Sequence, residues 1–406
     1  MMPTVSHPCI RSRPLKLCVF GITALTSGST TFFFYYLYFL TKDKFGFSQT
    51  QNLMLAAALG YVYCAASYVA GRFAHRFGYF FSIRFGLTIL ILTLGAASQM
   101  KQAWPMLGLV VIGNFGMCFC WPALEALMSE GEPPARLQSL VGLYCISWSA
   151  AGALTYFAGG AVLQHFGQQS LFFAPVGVFV GVMLFLSWFE KQVENQPPAR
   201  ADLAQTALHV VAEGYRSPIP AKIFLQMGWL TNPMAYLVVN TVVSTIPSLA
   251  EHFQFRPMMA GFVCSTWLFA RAATFMLLRL WPRWHYRFRF LGFGFVAMIV
   301  SFILMLSVRN LWVLILSQLV LGGCLGLIYY SSLFYSMDVG EAKSEHGGIH
   351  EAAIGLGSGS GPAMAAGSVA LFPASRASGP VGVSVLLVMG FGMLLWMRFK
   401  NYGPRK

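Results

Sequence analysis

Ionisable residues inside long apolar runs are the first candidates for chemistry in this sequence. Arg271 lies deep in one such run, Glu125 lies near the end of another, and His350 and Glu351 open a third. Because a charge in hydrocarbon costs at least ~2.5–3.5 kcal/mol on insertion scales, each of them is a functional candidate. The alternative is that the last three are solvated at an interface and that Arg271 extends its side chain toward the surface.

Arg271 carries the sharpest of these predictions. An unpaired guanidinium at this depth needs a partner. Trp267 lies about one helical turn earlier on the same face, where its indole can hold the planar guanidinium. We therefore predict that Arg271 either binds an anionic group of a ligand or pairs with a carboxylate such as Glu351 or Glu125.

Polar side chains form stripes along two other apolar runs. Asn232, Tyr236 and Asn240 follow one another at intervals of four and so share one helical face, and Asn114 shares a face with Glu125. Such stripes suit hydrogen bonds to a polar ligand, with hydrogen bonding between helices as the alternative. The aromatic run 32–39 is more typical of an interfacial belt than of a stacking site. The predicted ligand-binding set is Arg271, Trp267, Asn232, Tyr236, Asn240 and Asn114.

His346 and His350 have a spacing that can place two zinc ligands on one helical face. The order is not the His-Glu-x-x-His of zinc proteases, Gly347 and Gly348 weaken the helix start, and no third ligand is apparent. We therefore predict no metal site and no cofactor. No phosphate-binding glycine loop or Ser-His-Asp pattern stands out, so the sequence favours neither catalysis nor ATP-driven work.

The elements that must position these residues are apolar helices. Hydrophobic residues make up 57% of the sequence and charged residues 10%, where a soluble domain carries roughly 25% charge. The mean hydropathy is +0.63. A membrane-spanning helix needs roughly 20 apolar residues to cross a hydrocarbon core of about 30 Å. Twelve runs meet this need, at about 17–40, 50–72, 79–100, 104–128, 137–164, 169–189, 222–249, 257–279, 288–308, 310–337, 347–372 and 379–398.

A polar, proline-containing segment divides these runs into two sets of six. An internal repeat supports the division, because one constant offset of 206 residues places Gly142 on Gly348 and Gly116 on Gly322. The predicted organisation is a tail at 1–16, a six-helix bundle at 17–189, a linker at 190–221 with a short surface helix at 201–215, a second bundle at 222–398 and a tail at 399–406.

Basic residues are distributed unequally between alternate loops. Of the 27 lysine and arginine residues, 20 fall on one side, six fall on the other and Arg271 is left within a run. Positively charged loops stay cytoplasmic, so we predict cytoplasmic termini in a plasma or inner membrane. The net charge of +14 does not indicate a nucleic-acid partner, because the basic residues form no domain of their own.

Three segments carry a resemblance to a known family. The segment 71–78, Gly-Arg-Phe-Ala-His-Arg-Phe-Gly, is similar to the signature loop of the major facilitator superfamily, with His75 where that family has an acid. The segments 121–127 and 142–144 resemble its fourth and fifth spans. The resemblance implies an all-α fold of two pseudo-symmetric six-helix bundles, with the first and seventh spans lining a central cavity. It also implies gating contacts, for which the candidates here are Arg72, Arg76, Glu125, Glu130, His350 and Glu351. Among them we predict that Arg76 pairs with a carboxylate at the inner end of the fourth span, Glu125 or Glu130.

The resulting functional prediction is a secondary active transporter that moves a small solute by alternating access. We expect a monomer in membrane lipid, with a coupling ion such as H⁺ left open. Two alternatives belong to other classes. One is a membrane-embedded enzyme that uses His346, His350 and Glu351, and the other is a membrane sensor that transports nothing.

Overall fold

The computed structural model describes residues 10, 12–132, 134–196, 218–307, 310–339, 343–375 and 377–401. These ranges contain twelve long helices and no strand, so the predicted all-α class is confirmed. The predicted surface helix at 201–215 lies outside the described residues. The helices are α1 (Arg13–Phe45), α2 (Gln49–Phe77), α3 (Tyr79–Ala97), α4 (Ala103–Ser129), α5 (Pro134–Phe166), α6 (Ser170–Glu194), α7 (Ala221–His252), α8 (Pro257–Leu280), α9 (Phe288–Ser307), α10 (Leu311–Val339), α11 (Lys343–Leu371) and α12 (Ser378–Lys400).

Two of the helices are interrupted. Helix α4 changes to a turn at 118–120, and α8 does so at Ser265. In α4 the break has a local cause, since Pro122 has no N–H to donate and its ring would clash with the carbonyl of Cys118. Trp121, the first residue after this turn, lines the central cavity described below.

Helix α11 differs from the other described helices in its lower hydropathy and in its close packing against two neighbouring helices. Those eleven are long and apolar enough to cross a membrane, whereas α11 has the length, at 29 residues, but not the hydropathy. It packs between α2 and α7 and uses glycine on both sides. A Cβ atom at Gly355 would lie 2.3 Å from the Cys64 nitrogen, and one at Gly357 would lie 2.0 Å from the Pro233 carbonyl oxygen. Other helices cover much of this helix, so only part of its surface has to be apolar.

The two halves of the chain contact each other on both sides of the centre. The face where α1 begins and α12 ends is called the terminal face here. On that face Gly71 of α2 meets Gly348 of α11, and the Arg279 guanidinium donates to the Ser139 hydroxyl at 3.2 Å. On the opposite face Lys42 Nζ lies 2.5 Å from a Glu251 carboxylate oxygen. The two halves are therefore in contact at the terminal face and at the opposite face, and the space between these contacts is enclosed by both halves.

Candidate solute-binding cavity

A cavity of about 180 Å³ lies between the halves. It is lined from both halves, by α1, α2, α4 and α5 of the first and by α7, α8, α10 and α11 of the second. Typical ligand pockets measure about 300–1,000 Å³, so this one suits a small solute. The rings that line it are Phe34, Tyr35, Tyr38, Tyr63, Trp121, Tyr144, Trp148, Tyr236 and Tyr329. Part of the aromatic run 32–39 thus lines the cavity and does not form a belt at the membrane surface.

Arg271 reaches this cavity from α8 and is only 4% exposed. Its guanidinium carbon lies 4.4 Å from the Trp148 ring centre and 5.0 Å from that of Trp267. The Tyr35 hydroxyl is within hydrogen-bonding reach. Among the described residues no carboxylate oxygen lies within 4.0 Å of the guanidinium, and Nε has no hydrogen-bond partner. Aromatic faces hold this cation, and it forms no ion pair with the described residues.

Trp267 and Trp148 play different parts around Arg271. Trp267 is 1% exposed and stacks on Tyr35, with ring centres 6.3 Å apart, so it supports the guanidinium from behind the cavity wall. Trp148 belongs to the cavity lining itself. It lies on α5, in the other half of the chain, and no spacing in the sequence connects it with Arg271.

The predicted stripe on α7 is divided between two environments. Tyr236 and Asn240 line the cavity, and the Asn240 amide donates to the Ser358 hydroxyl at 2.8 Å. Asn232 is fully buried outside the lining, and its amide finds no partner among the described residues. Asn114 of α4 lines the cavity and donates to the Leu59 carbonyl at 2.8 Å. Ligand binding at Asn232, Tyr236, Asn240 and Asn114 stays a prediction.

The ionisable residues of α4 and α11 come together at the junction of the halves. Glu125 and His350 are 0% exposed and Glu351 is 4% exposed, so the alternative of a solvated interfacial position is wrong. The Tyr63 hydroxyl donates to the Glu351 carboxylate. His346, by contrast, packs its ring near that of Trp229. The acidic pair therefore lies together, apart from Arg271, and neither carboxylate forms the predicted ion pair with it in this conformation.

Three of the predicted gating residues, Arg72, Arg76 and Glu130, lie toward the terminal face, and a gating role for the whole set stays a prediction. Arg72 stacks over Tyr68 at 4.4 Å and Arg76 lies over Phe77 at 5.4 Å. Glu130, at the terminal end of α4, accepts a hydrogen bond of 2.7 Å from the Tyr79 hydroxyl. Because Glu125 is buried in the cluster with Glu351, the prediction for the partner of Arg76 narrows to Glu130.

A comparison of the whole chain with protein families agrees with this architecture. The model described as Major Facilitator Superfamily matches residues 18–362. The match covers most of the sequence, and the chain belongs to the Major Facilitator Superfamily. The suspected family, the multi-pass membrane arrangement and the class of membrane transporter are thereby confirmed.

One curated relative is similar over part of its length. It is "Probable anion transporter 7" of Oryza sativa subsp. japonica, 26% identical over 242 residues, which make up 57% of this chain and 51% of the rice protein. This chain therefore aligns with about half the length of that relative.

Solved structures share the fold at low sequence identity. The human organic anion transporter MFSD10 (TETRAN) has a TM-score of 0.69 at 15% identity, with 94% of this chain and 99% of that chain covered. A bacterial homolog to the human lysosomal transporter Spinster has a TM-score of 0.69 at 14% identity, with 98% and 100% covered. A point mutant of the nucleoside transporter NupG reaches 0.63 at 15% identity, with 96% and 100% covered. These likenesses show the fold, including its two pseudo-symmetric six-helix bundles.

Proposed function

We propose that this protein is a secondary active transporter of a small organic anion, which binds in the central cavity with its negative group on Arg271. The observation that carries the proposal is the setting of that guanidinium, buried among aromatic rings with no carboxylate of the described residues in an ion pair with it. Arginine stays charged at any physiological pH, and an anionic ligand would supply the neutralising group that the described residues do not place beside it. Two relatives in the comparisons are themselves named as anion transporters.

The shape of the cavity narrows the solute further. Eight of its lining residues are tyrosine or tryptophan, and their rings offer flat apolar surfaces with polar tips. A small carboxylate with an apolar or aromatic body fits both features. The carboxylate would take two parallel N–H donors of the guanidinium fork, and the body would lie against the rings.

Transport by this proposal means alternating exposure of one site. The moving halves are the bundles at 17–189 and 222–398, joined by the linker at 190–221 and working as a monomer in membrane lipid. Both termini lie in the cytoplasm, and the location is the plasma or inner membrane. The sequence offers no ATP-binding loop, so an ion gradient drives uphill movement. In the uptake experiment, a proton gradient is the first ion gradient to be tested.

The proposal is tested in two stages on purified protein. A melting screen of small carboxylates finds the solute, since a ligand that binds the folded state raises its melting temperature. Uptake into proteoliposomes is then compared for wild type, Arg271→Lys and Arg271→Ala. Lysine keeps the charge but loses the planar fork, so we expect reduced affinity with lysine and a larger loss with alanine.

A matched control separates the cavity from charge in general. Arg84 lies in a partly exposed pair with Glu190, 2.6 Å apart on the outer surface of the first half, and Arg84→Lys and Arg84→Ala should leave uptake unchanged. Normal uptake and affinity in Arg271→Ala would overturn the proposal.

A further inference from the structure

Three side chains of metal-ligating type converge beside the cavity, and the binding of an anion at Arg271 does not use them. They are Glu125 from α4 in the first half and His350 and Glu351 from α11 in the second. One donor atom from each residue lies within 4.8 Å of the donors of the other two. All three are buried, and no lysine or arginine among the described residues pairs with either carboxylate.

The hydrogen bonding of this cluster is incomplete. The carboxylates of Glu125 and Glu351 lie within hydrogen-bonding reach of each other, but two acceptors cannot satisfy one another. Both oxygens of Glu125 and Nε2 of His350 have no donor or acceptor partner among the described residues. A proton shared between the carboxylates would satisfy the oxygens and still leave the imidazole nitrogen without a partner. One cation between the three donors would satisfy all of them.

The groups around the cluster orient the donors as they do in metal sites. The Ser332 hydroxyl lies 3.1 Å from Nδ1 of His350, while Nε2 has no partner among the described residues and is available to a ligand. The Tyr63 hydroxyl holds one oxygen of Glu351. Metal-ligating histidines and carboxylates generally have such outer partners, and these fix the tautomer and the angle of approach. Tyr63 and Glu351 also line the cavity, so an ion can enter from there.

We propose that Glu125, His350 and Glu351 bind one divalent transition-metal ion, such as Zn²⁺ or Mn²⁺, which joins the two halves of the transporter. An imidazole nitrogen with two carboxylates suits these ions, whereas Ca²⁺ and Mg²⁺ prefer oxygen ligands alone. Tetrahedral donors about 2.1 Å from an ion lie about 3.4 Å from one another. Donor atoms at the 4.8 Å limit of this cluster therefore have to approach each other by roughly 1.4 Å when the ion binds. Bound metal would hold α4 against α11 and slow the separation of the halves.

The first test measures metal binding by the full-length protein in detergent, with no solute present. Wild type, Glu125→Gln and His350→Ala are equilibrated with ZnCl₂, and bound zinc and melting temperature are recorded. We expect one zinc ion per wild-type chain with an upward melting shift, and at least a tenfold weaker site in both variants. Ser332 is a positioning residue in this proposal, and Ser332→Ala should weaken binding about 10–100-fold.

His346→Ala is the matched control, because His346 lies one turn earlier on the same helix and belongs to no part of the proposed ligand set. It should bind zinc as wild type does. Equal losses in His346→Ala and His350→Ala would overturn the proposal, and so would undiminished binding in Glu125→Gln.

A measurement on the wild type alone covers the case in which a variant fails to fold. Co²⁺ added to the protein should give the visible ligand-field absorption of nitrogen and oxygen ligands. Absorption typical of thiolate ligands, or no protein-dependent spectrum, would contradict the site. Neither result depends on whether Arg271 binds an anion, so the two proposals fail separately.

Discussion

The central region of this protein holds two buried charged sites that differ in sign and in surroundings. Among the described residues, Arg271 is surrounded by aromatic rings and has no carboxylate beside it, whereas Glu125 and Glu351 lie together with His350 and have no lysine or arginine beside them. Both Arg271 and Glu351 border one cavity, yet they do not pair in this conformation. An ion pair between them would have neutralised both sites. Because they are separate, we propose that each site binds a ligand of opposite charge.

The largest expected effect is on the cationic site. Arg271→Ala should weaken binding of the anionic solute by on the order of 2–5 kcal/mol, which is the loss expected when one partner of a buried hydrogen-bonded charge pair is removed. The same change should leave the melting temperature of the solute-free protein unchanged or raise it, because it removes an unneutralised buried charge. Calorimetric affinity and a melting curve check both. A clear fall in solute-free stability would mean that a protein group neutralises Arg271.

The next effect concerns the packing that brings the acidic cluster together. Gly355→Leu should destabilise the protein by roughly 1–3 kcal/mol or drive it out of this conformation, because the new side chain meets the backbone of α2 at Cys64. Gly367→Leu on the same helix is the control, since nothing lies within 4 Å of a Cβ there. Urea or thermal unfolding in detergent compares the two. Similar stability for both variants would show that the halves do not meet through Gly355.

A smaller effect is expected from the aromatic support of Arg271. Trp148→Leu removes a cation–π contact, and we expect anion binding to weaken by about 0.5–2 kcal/mol. Trp188→Leu is the control, because Trp188 lies half exposed on α6 away from the cavity. Affinity is measured as for Arg271. If Trp148→Leu binds the anion as tightly as Trp188→Leu does, the indole has no part in holding the guanidinium.

The smallest effect lies at the terminal face. A partly exposed pair between Arg76 and Glu130 would contribute about 1 kcal/mol or less to the closed state. Arg76→Glu should therefore slow transport modestly, and adding Glu130→Arg should restore part of the rate. Initial uptake rates in proteoliposomes measure this. No recovery in the double variant would exclude Glu130 as the partner.

The helices were predictable from the sequence because spanning a membrane demands length and apolar composition together. The contacts of α11 were not predictable, because its glycines act through the backbones of α2 and α7, which lie about 120 or more residues away in sequence. The functional sites also combine residues from one helix, which sequence spacing reveals, with residues from distant helices, which it does not. Trp267 and Arg271 are four residues apart on α8, and Tyr236 and Asn240 are four residues apart on α7. Pairs within a single helix can be recognised from this spacing.

Partners on other helices leave no such pattern. Trp148 reaches Arg271 from α5, and Glu125 reaches His350 from α4. The prediction of no metal site depended on the missing third ligand after His346 and His350. The third donor beside His350 and Glu351 comes from the other half of the chain.

The most direct test of the account is a double-variant measurement of anion affinity in chelator-treated buffer, with Arg271→Ala, Glu351→Gln and the two combined. If Arg271 binds the solute, Arg271→Ala loses affinity and Glu351→Gln does not restore it, while the folded protein keeps its melting temperature. If the two residues instead neutralise each other during the transport cycle, the combined variant recovers binding and transport. Recovery in the combined variant would contradict the assignment of Arg271 as the anion-binding residue.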